Sequence, residues 1–262
     1  GDKGGEDVLS PAVSQFNKRS LVVTYNVTPL LKGGNNELII WLGSGWYTEG
    51  LPGVTGSGPV VRAQLEHVNE EVKEIVVCTD DSWVGRNSEY ERISNWRSGR
   101  YGGEIVTGNL EARNKALQTP DALTWEKVVI AEVPEHEASP QMVEPNRIME
   151  TIQPYRIERL NDSTYLVDMG RCISGWFEIT FPPLQESSEI IMEYSDHLTE
   201  NGELRGQGQI DRYIASGNGT ELFKNKFNYH GFQYIKISNL ETPPRLEDIK
   251  AHLIHTNFET TA

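Results

Sequence analysis

From Asp168 to Pro183 the chain runs Asp-Met-Gly-Arg-Cys-Ile-Ser-Gly-Trp-Phe-Glu-Ile-Thr-Phe-Pro-Pro. Phe177, Ile179 and Phe181 alternate with Trp176, Glu178 and Thr180. A period of two marks a strand with one buried face. The two prolines cannot donate to a sheet ladder, so they end it. Short runs of this kind recur along the whole chain. Strands are expected at residues 21–27, 37–43, 60–68, 74–79 and 125–133, then at 147–159, 164–168, 175–181, 189–195, 209–216, 233–237 and 250–255. The run 37–43 is apolar enough to be buried on both faces, with Trp41 in a core.

Little helix interrupts this pattern. A helical turn is expected at 28–32 and a short helix at 110–116, capped by Asn109. Residues 89–104 are polar and aromatic, which is loop composition. Asn201-Gly202 and Gly217-Asn218-Gly219 are turn signals. Short strands without any long amphipathic helix make an all-β chain of two antiparallel β-sandwiches. The stretch 134–145 holds three prolines and three glutamates and reads as a crossover. The expected division is a first sandwich at 1–136, a linker at 137–149 and a second sandwich at 150–262. Gly4-Gly5 resembles a hairpin turn with no strand ahead of it, so the first sandwich is expected to be incomplete at its N-terminus.

The net charge of −14 and the absence of any Lys/Arg run argue against a nucleic-acid partner. No apolar run approaches the ~20 residues needed to cross a bilayer, so no membrane partner is expected. The first residue is glycine, and the lack of a signal peptide therefore carries no information about compartment. Cys78 and Cys172 fall in different sandwiches and are expected to be buried free thiols.

No phosphate loop, nucleophile elbow or paired metal-ligand motif is present. His252 and His255 are three apart, which in a strand puts them on opposite faces, so neither a metal nor another cofactor is expected. Glycosidases work with two facing carboxylates. Glu193 with Asp196, and Asp80 with Asp81, are pairs of that type, but among 38 acidic residues such pairs arise by chance, and no catalytic residue is assigned. Aromatic residues in loops are the stronger signal. Trp46 and Tyr47 stand in a Gly/Pro loop, Trp96 and Tyr101 in a polar one. Their rings could stack on sugar C–H faces or anchor the loops by burial. These four are the candidate carbohydrate-binding residues.

Several motifs carry a family resemblance. Asp168-Met169-Gly170-Arg171-Cys172-Ile173-Ser174-Gly175-Trp176 resembles the D-F-G-x-N-x-x-G-W segment of bacterial α-L-rhamnosidases. Tyr194 to Leu198 with Asn201 to Leu204, then Asp211-Arg212-Tyr213-Ile214, then Phe227 to Tyr234, resemble later motifs of that family in the same order. Leu42-Gly43-Ser44-Gly45-Trp46-Tyr47 and Tyr101-Gly102-Gly103-Glu104 resemble its N-terminal sandwich. Cys172, Asp196 and Gln233 replace the family's Asn, Glu and Arg, and Val106-Thr107-Gly108-Asn109 stands where the family has Tyr-Asp-Ala-Arg.

The resemblance implies a jelly-roll first sandwich and a concanavalin-like second one. It implies that terminal α-L-rhamnosyl linkages are hydrolysed with inversion by acids in a helical barrel that follows, so this chain would be the non-catalytic portion. Its partners would be that barrel and, through the parent enzyme, a rhamnose-containing oligo- or polysaccharide, in the periplasm or outside the cell. A stand-alone lectin-like protein and the accessory sandwiches of another glycosidase are the alternatives.

Overall fold

Phe177, Ile179 and Phe181 are fully buried in the computed structural model of the chain, as their alternation requires. The structure describes residues 5–45, 58–69, 72–93, 101–109, 124–132 and 137–259. Strands account for 45% and helix for 3%, so the chain is all-β. In order the strands are β1 (Ser20–Val22), β2 (Gln64–Val68), β3 (Lys73–Cys78), β4 (Val84–Gly85), β5 (Tyr90–Ile93), β6 (Gly103–Thr107), β7 (Glu126–Lys127) and β8 (Ala138–Pro140). There follow β9 (Asn146–Ile152), β10 (Arg156–Asn161), β11 (Thr164–Phe181), β12 (Glu189–Ser195), β13 (Ile210–Ile214), β14 (Glu221–Lys224), β15 (His230–Ser238) and β16 (Ile249–Thr256). The expected helical turn is a 3-10 segment at Thr28–Leu30. The helix expected at 110–116 lies outside the described residues.

Ten strands make one curled sheet in the order β5-β6-β13-β12-β15-β11-β16-β9, with β10 and β14 also paired to β11. The two strands expected at 164–168 and 175–181 are one strand of 18 residues, β11. Its first part pairs with β10 and β15, its last part with β14 and β16. The neighbours change at Gly175, which faces both His230 and Leu253. A Cβ at Gly175 would overlap the His252 carbonyl oxygen, so only glycine lets β16 come this close. A bulge between Asp168 and Ile173, with Gly170 at φ +77°, bends the strand and curls the sheet. Pairing is antiparallel except for β1 with β8 and β6 with β13, which are parallel.

A small hydrophobic cluster joins Val8, Trp176 and Ile254, and a large one forms the main core. β11 supplies Tyr165, Val167, Met169, Ile173, Phe177, Ile179 and Phe181, and facing strands supply Met192, Phe223, Phe232, Ile235 and Ile249. Each such side chain contributes about 1.5–3 kcal/mol on burial. From the first hundred and fifty residues the cluster takes Val106, with Tyr90 packed on its edge. Strands β5 and β6 are thus hydrogen-bonded into the same sheet as β9 to β16.

Further expectations need correction. The strand expected at 147–159 is two, β9 and β10, and of 125–132 only Glu126–Lys127 is a strand. The run 37–43 forms no strand: Leu38, Ile39 and Trp41 are 52%, 54% and 44% exposed. A strand needs a partner for its backbone groups, and this run has none among the described residues. It lies instead against β5 and the second half, with Trp41 edge-on to Tyr90, Gly43 on the Phe227 ring, and the Lys226 ammonium 3.1 Å from the Trp41 ring centre. Residues 89–104 are not all loop, since they contain β5 and the start of β6. Both cysteines are free as expected but exposed. Cys172 sits on the bulge of β11, and Cys78 ends β3, whose six residues are all exposed.

Candidate functional site

A dense polar cluster lies where β6 meets β13. Gly102, at φ +63°, turns the chain in beside Gln209, and its N–H donates to the Gly208 carbonyl at 2.9 Å. Gly103 follows, so close to β13 that a Cβ would overlap the Ile210 carbonyl oxygen. That approach lets the Glu104 N–H donate to Asp211 Oδ1 at 2.7 Å. The Glu104 carboxylate then accepts from three successive backbone N–H groups: Lys226 at 3.0 Å, Phe227 at 2.6 Å and Asn228 at 2.9 Å. The Asn225 amide donates to Glu104 at 3.2 Å and to Asp211 Oδ2 at 2.7 Å, while its own oxygen accepts from Phe177 N–H at 2.9 Å. Asp211 Oδ2 also accepts from the Tyr194 hydroxyl at 2.7 Å and lies 2.9 Å from His230 Nε2. His230 stacks on Tyr194 with ring centres 4.1 Å apart.

Burial pushes the Glu104 carboxyl up to about 7, the Asp211 charge adds to this, and the backbone donors pull it back. Burial acts on Asp211 too, but His230, Asn225 and Tyr194 outweigh it and hold that carboxyl below its usual range. Two carboxyls displaced in opposite directions would suit an acid and a base. Access rules this out. Asp211 is 0%, His230 1% and Glu104 3% exposed, and all four carboxylate oxygens already have protein donors. The cluster joins the two halves of the chain and cannot meet a substrate bond.

The candidates from the sequence fall elsewhere. Trp46, Tyr47 and Trp96 lie outside the described residues. Tyr101 is half-buried, next to Gly102, with its N–H 3.5 Å from the Gln207 carbonyl. Glu193 is paired with Lys236 at 2.5 Å, and Asp196 with His197 at 2.6 Å. Asp80 accepts from Ser82 in its turn, and those hydrogen bonds hold its carboxyl low. Glu193, Asp196 and Asp80 are thus each engaged by a local partner. His252 is buried between Glu178 at 2.9 Å and Thr151 at 3.0 Å, while His255 is exposed, as their spacing implied. Among the described residues no group of three or more His, Cys, Asp or Glu could hold a metal. The roles of Glu104, Asp211, Asn225 and His230 were not assigned from sequence. The available signal was the Gly102-Gly103 doublet ahead of Glu104, which marks a close backbone approach.

Comparison with known proteins covers both halves. Residues 1–150 match the model of the alpha-L-rhamnosidase N-terminal domain, and residues 158–255 match that of the bacterial alpha-L-rhamnosidase concanavalin-like domain. An alpha-L-rhamnosidase of Formosa agariphila is 28% identical over 100% of this chain and 29% of its own length. One from Streptomyces avermitilis is 24% identical over 100% of this chain and 26% of its own length. The solved alpha-L-rhamnosidase from Dictyoglumus thermophilum superposes with a TM-score of 0.77 at 26% identity, over 98% of this chain and 29% of its own. The Streptomyces avermitilis structure complexed with L-rhamnose shares the fold, with a TM-score of 0.76 at 21% identity over 97% of this chain and 25% of its own. The chain thus spans under a third of the length of these relatives and matches their two non-catalytic sheet domains.

Proposed function

The chain belongs to the bacterial α-L-rhamnosidase family, and on that premise we propose that it is the supporting sheet portion of an enzyme that removes terminal α-L-rhamnosyl residues with inversion. The catalytic acids then belong to a helical barrel outside these 262 residues, against which the two sandwiches pack. The observation that carries this reading is the match of both halves to sheet domains that make up 29% of a relative. The sealed state of the Glu104–Asp211 pair agrees with it, because this acid-and-base-like pair is committed to structure.

Within this reading Trp46, Tyr47, Trp96 and Tyr101 are the residues proposed to touch a rhamnose-containing glycan, and the parent enzyme works in the periplasm or outside the cell. No helix among the described residues is long and apolar enough to cross a membrane. The test is release of 4-nitrophenol from its α-L-rhamnoside. This chain should release none, and the longer polypeptide that includes the barrel should turn over. Turnover by this chain alone would overturn the proposal.

A further inference from the structure

A cleft of about 390 Å³ opens between β5–β6 and β13–β14. Its volume falls in the range of small-molecule pockets. Arg86, Glu89, Tyr90, Thr107 and Gly108 line it, with Leu222 as an apolar wall. Three polar groups here keep hydrogen-bonding capacity to spare. The Thr107 hydroxyl is buried and has no hydrogen-bond partner among the described residues. The Glu89 carboxylate has no ion pair within 4 Å and no hydrogen bond among them, although the Lys226 ammonium is near enough to feel its charge. Arg86 uses one of its five N–H donors on the Asn87 carbonyl at 3.0 Å, while its guanidinium lies 5.4 Å from the Trp125 ring centre.

The other polar atoms are already occupied. The Tyr90 hydroxyl donates to the Lys224 carbonyl at 3.1 Å, and the Tyr213 hydroxyl to Glu221 at 2.8 Å. Those two residues therefore offer ring surface rather than free hydroxyls. Gly108 has no room for a side chain, since a Cβ would lie 2.5 Å from the Tyr213 hydroxyl and 2.7 Å from Glu221.

We propose that this cleft binds one neutral, polyhydroxylated ring of monosaccharide size. A guanidinium and a carboxylate on one small rim offset each other, so neither an anion nor a cation is favoured as a whole. A hydroxyl group is the partner that accepts from Arg86, donates to Glu89 and does either for Thr107. Tyr90 and Leu222 supply apolar surface for the C–H faces of such a ring. The inference does not depend on whether a catalytic barrel adjoins the chain.

The test is a ¹H–¹⁵N titration of the 262-residue chain with L-rhamnose, D-galactose and D-glucose, with glucuronate and glucosamine as charged controls. Saturable shifts at the amides of Glu89, Thr107 and Gly108 are expected with at least one neutral sugar, and weaker ones with both charged controls. Arg86→Met and Thr107→Val should each weaken binding at least about tenfold. Arg86 is exposed, so its substitution should leave the unfolding temperature unchanged and keeps the test open even if Thr107→Val fails to fold. The proposal is overturned by an absence of saturable shifts at these amides up to about 100 mM sugar. It is equally overturned by binding unchanged in the variants, or by tighter binding of a charged control.

Discussion

The backbone N–H of Glu104 donates to the carboxylate of Asp211 at 2.7 Å, and both residues lie inside the protein. Glu104 comes from the first half of the chain and Asp211 from the second. A buried carboxylate that captures three consecutive backbone N–H groups across this boundary is a pin. Removing it should leave those three N–H groups without an acceptor, each costing roughly 1–3 kcal/mol when buried. Glu104→Ala is therefore expected to lower unfolding free energy by about 3 kcal/mol or more in urea denaturation. Glu104→Gln should cost less, about 1–3 kcal/mol, because its amide oxygen still serves one pair of donors.

The same residue sets a pH dependence. The Glu104 carboxyl sits at about 7 in the folded chain, above its ordinary 4.5, so the folded state holds the proton more tightly. Its contribution is complete below pH 4.5 and is lost as pH rises through 7, by roughly 3 kcal/mol at most. Glu178 acts in the opposite sense. Burial raises its carboxyl, but Lys224 and His252 outweigh that and hold it at about 2, so its contribution is present above pH 4.5 and lost as pH falls toward 2. The melting temperature is expected to peak in mildly acidic buffer and decline on both sides. In Glu104→Gln the decline toward neutral pH should flatten while the acid side persists.

Two glycines are expected to tolerate no side chain. Gly103→Ala would drive a methyl into the Ile210 carbonyl, and Gly175→Ala into that of His252. The obstacles are backbone atoms within the sheet, which cannot swing aside as a side chain can. Each variant should lose several kcal/mol or fail to accumulate as soluble protein. Gly202→Ala meets nothing within 4 Å and strains only its φ of +78°, so it should cost about 1 kcal/mol. Melting temperatures of the three variants check the order.

Both thiols should react with Ellman's reagent in the native protein, since both are exposed. Burial, helped by the Asp196 charge, raises the Cys172 thiol, so its reaction should quicken as pH is raised above neutral. Cys172→Ser should remove that component and leave one reacting thiol. A native protein that hides both thiols until it is unfolded would contradict this.

How far the sequence can be read depended on where each polar or apolar residue found its partner. The alternation at Phe177, Ile179 and Phe181 is a local signal, and the burial followed it. Its continuity with residues 164–168 across the Gly170 bulge was not legible, because a bulge is set by the neighbouring strand. The apolar run 37–43 signalled a buried strand, yet strand formation needs a partner, and its apolar surface lies on Phe227 and Tyr90 instead. Residues 89–104 gave the converse error. Polar composition suggested loop, although β5 is a sheet edge where Glu91 and Arg92 face solvent, and buried Glu104 is polar because distant N–H groups await it. Those donors lie more than a hundred residues away, so no local pattern announces them.

The claim that this chain supports the chemistry without performing it is tested most directly by substituting its most acid-and-base-like pair in the full-length enzyme. Glu104→Gln and Asp211→Asn should lower the unfolding temperature while leaving kcat/KM of the folded fraction within about threefold of wild type. A loss of roughly a thousandfold in kcat with an unchanged unfolding temperature would contradict the account.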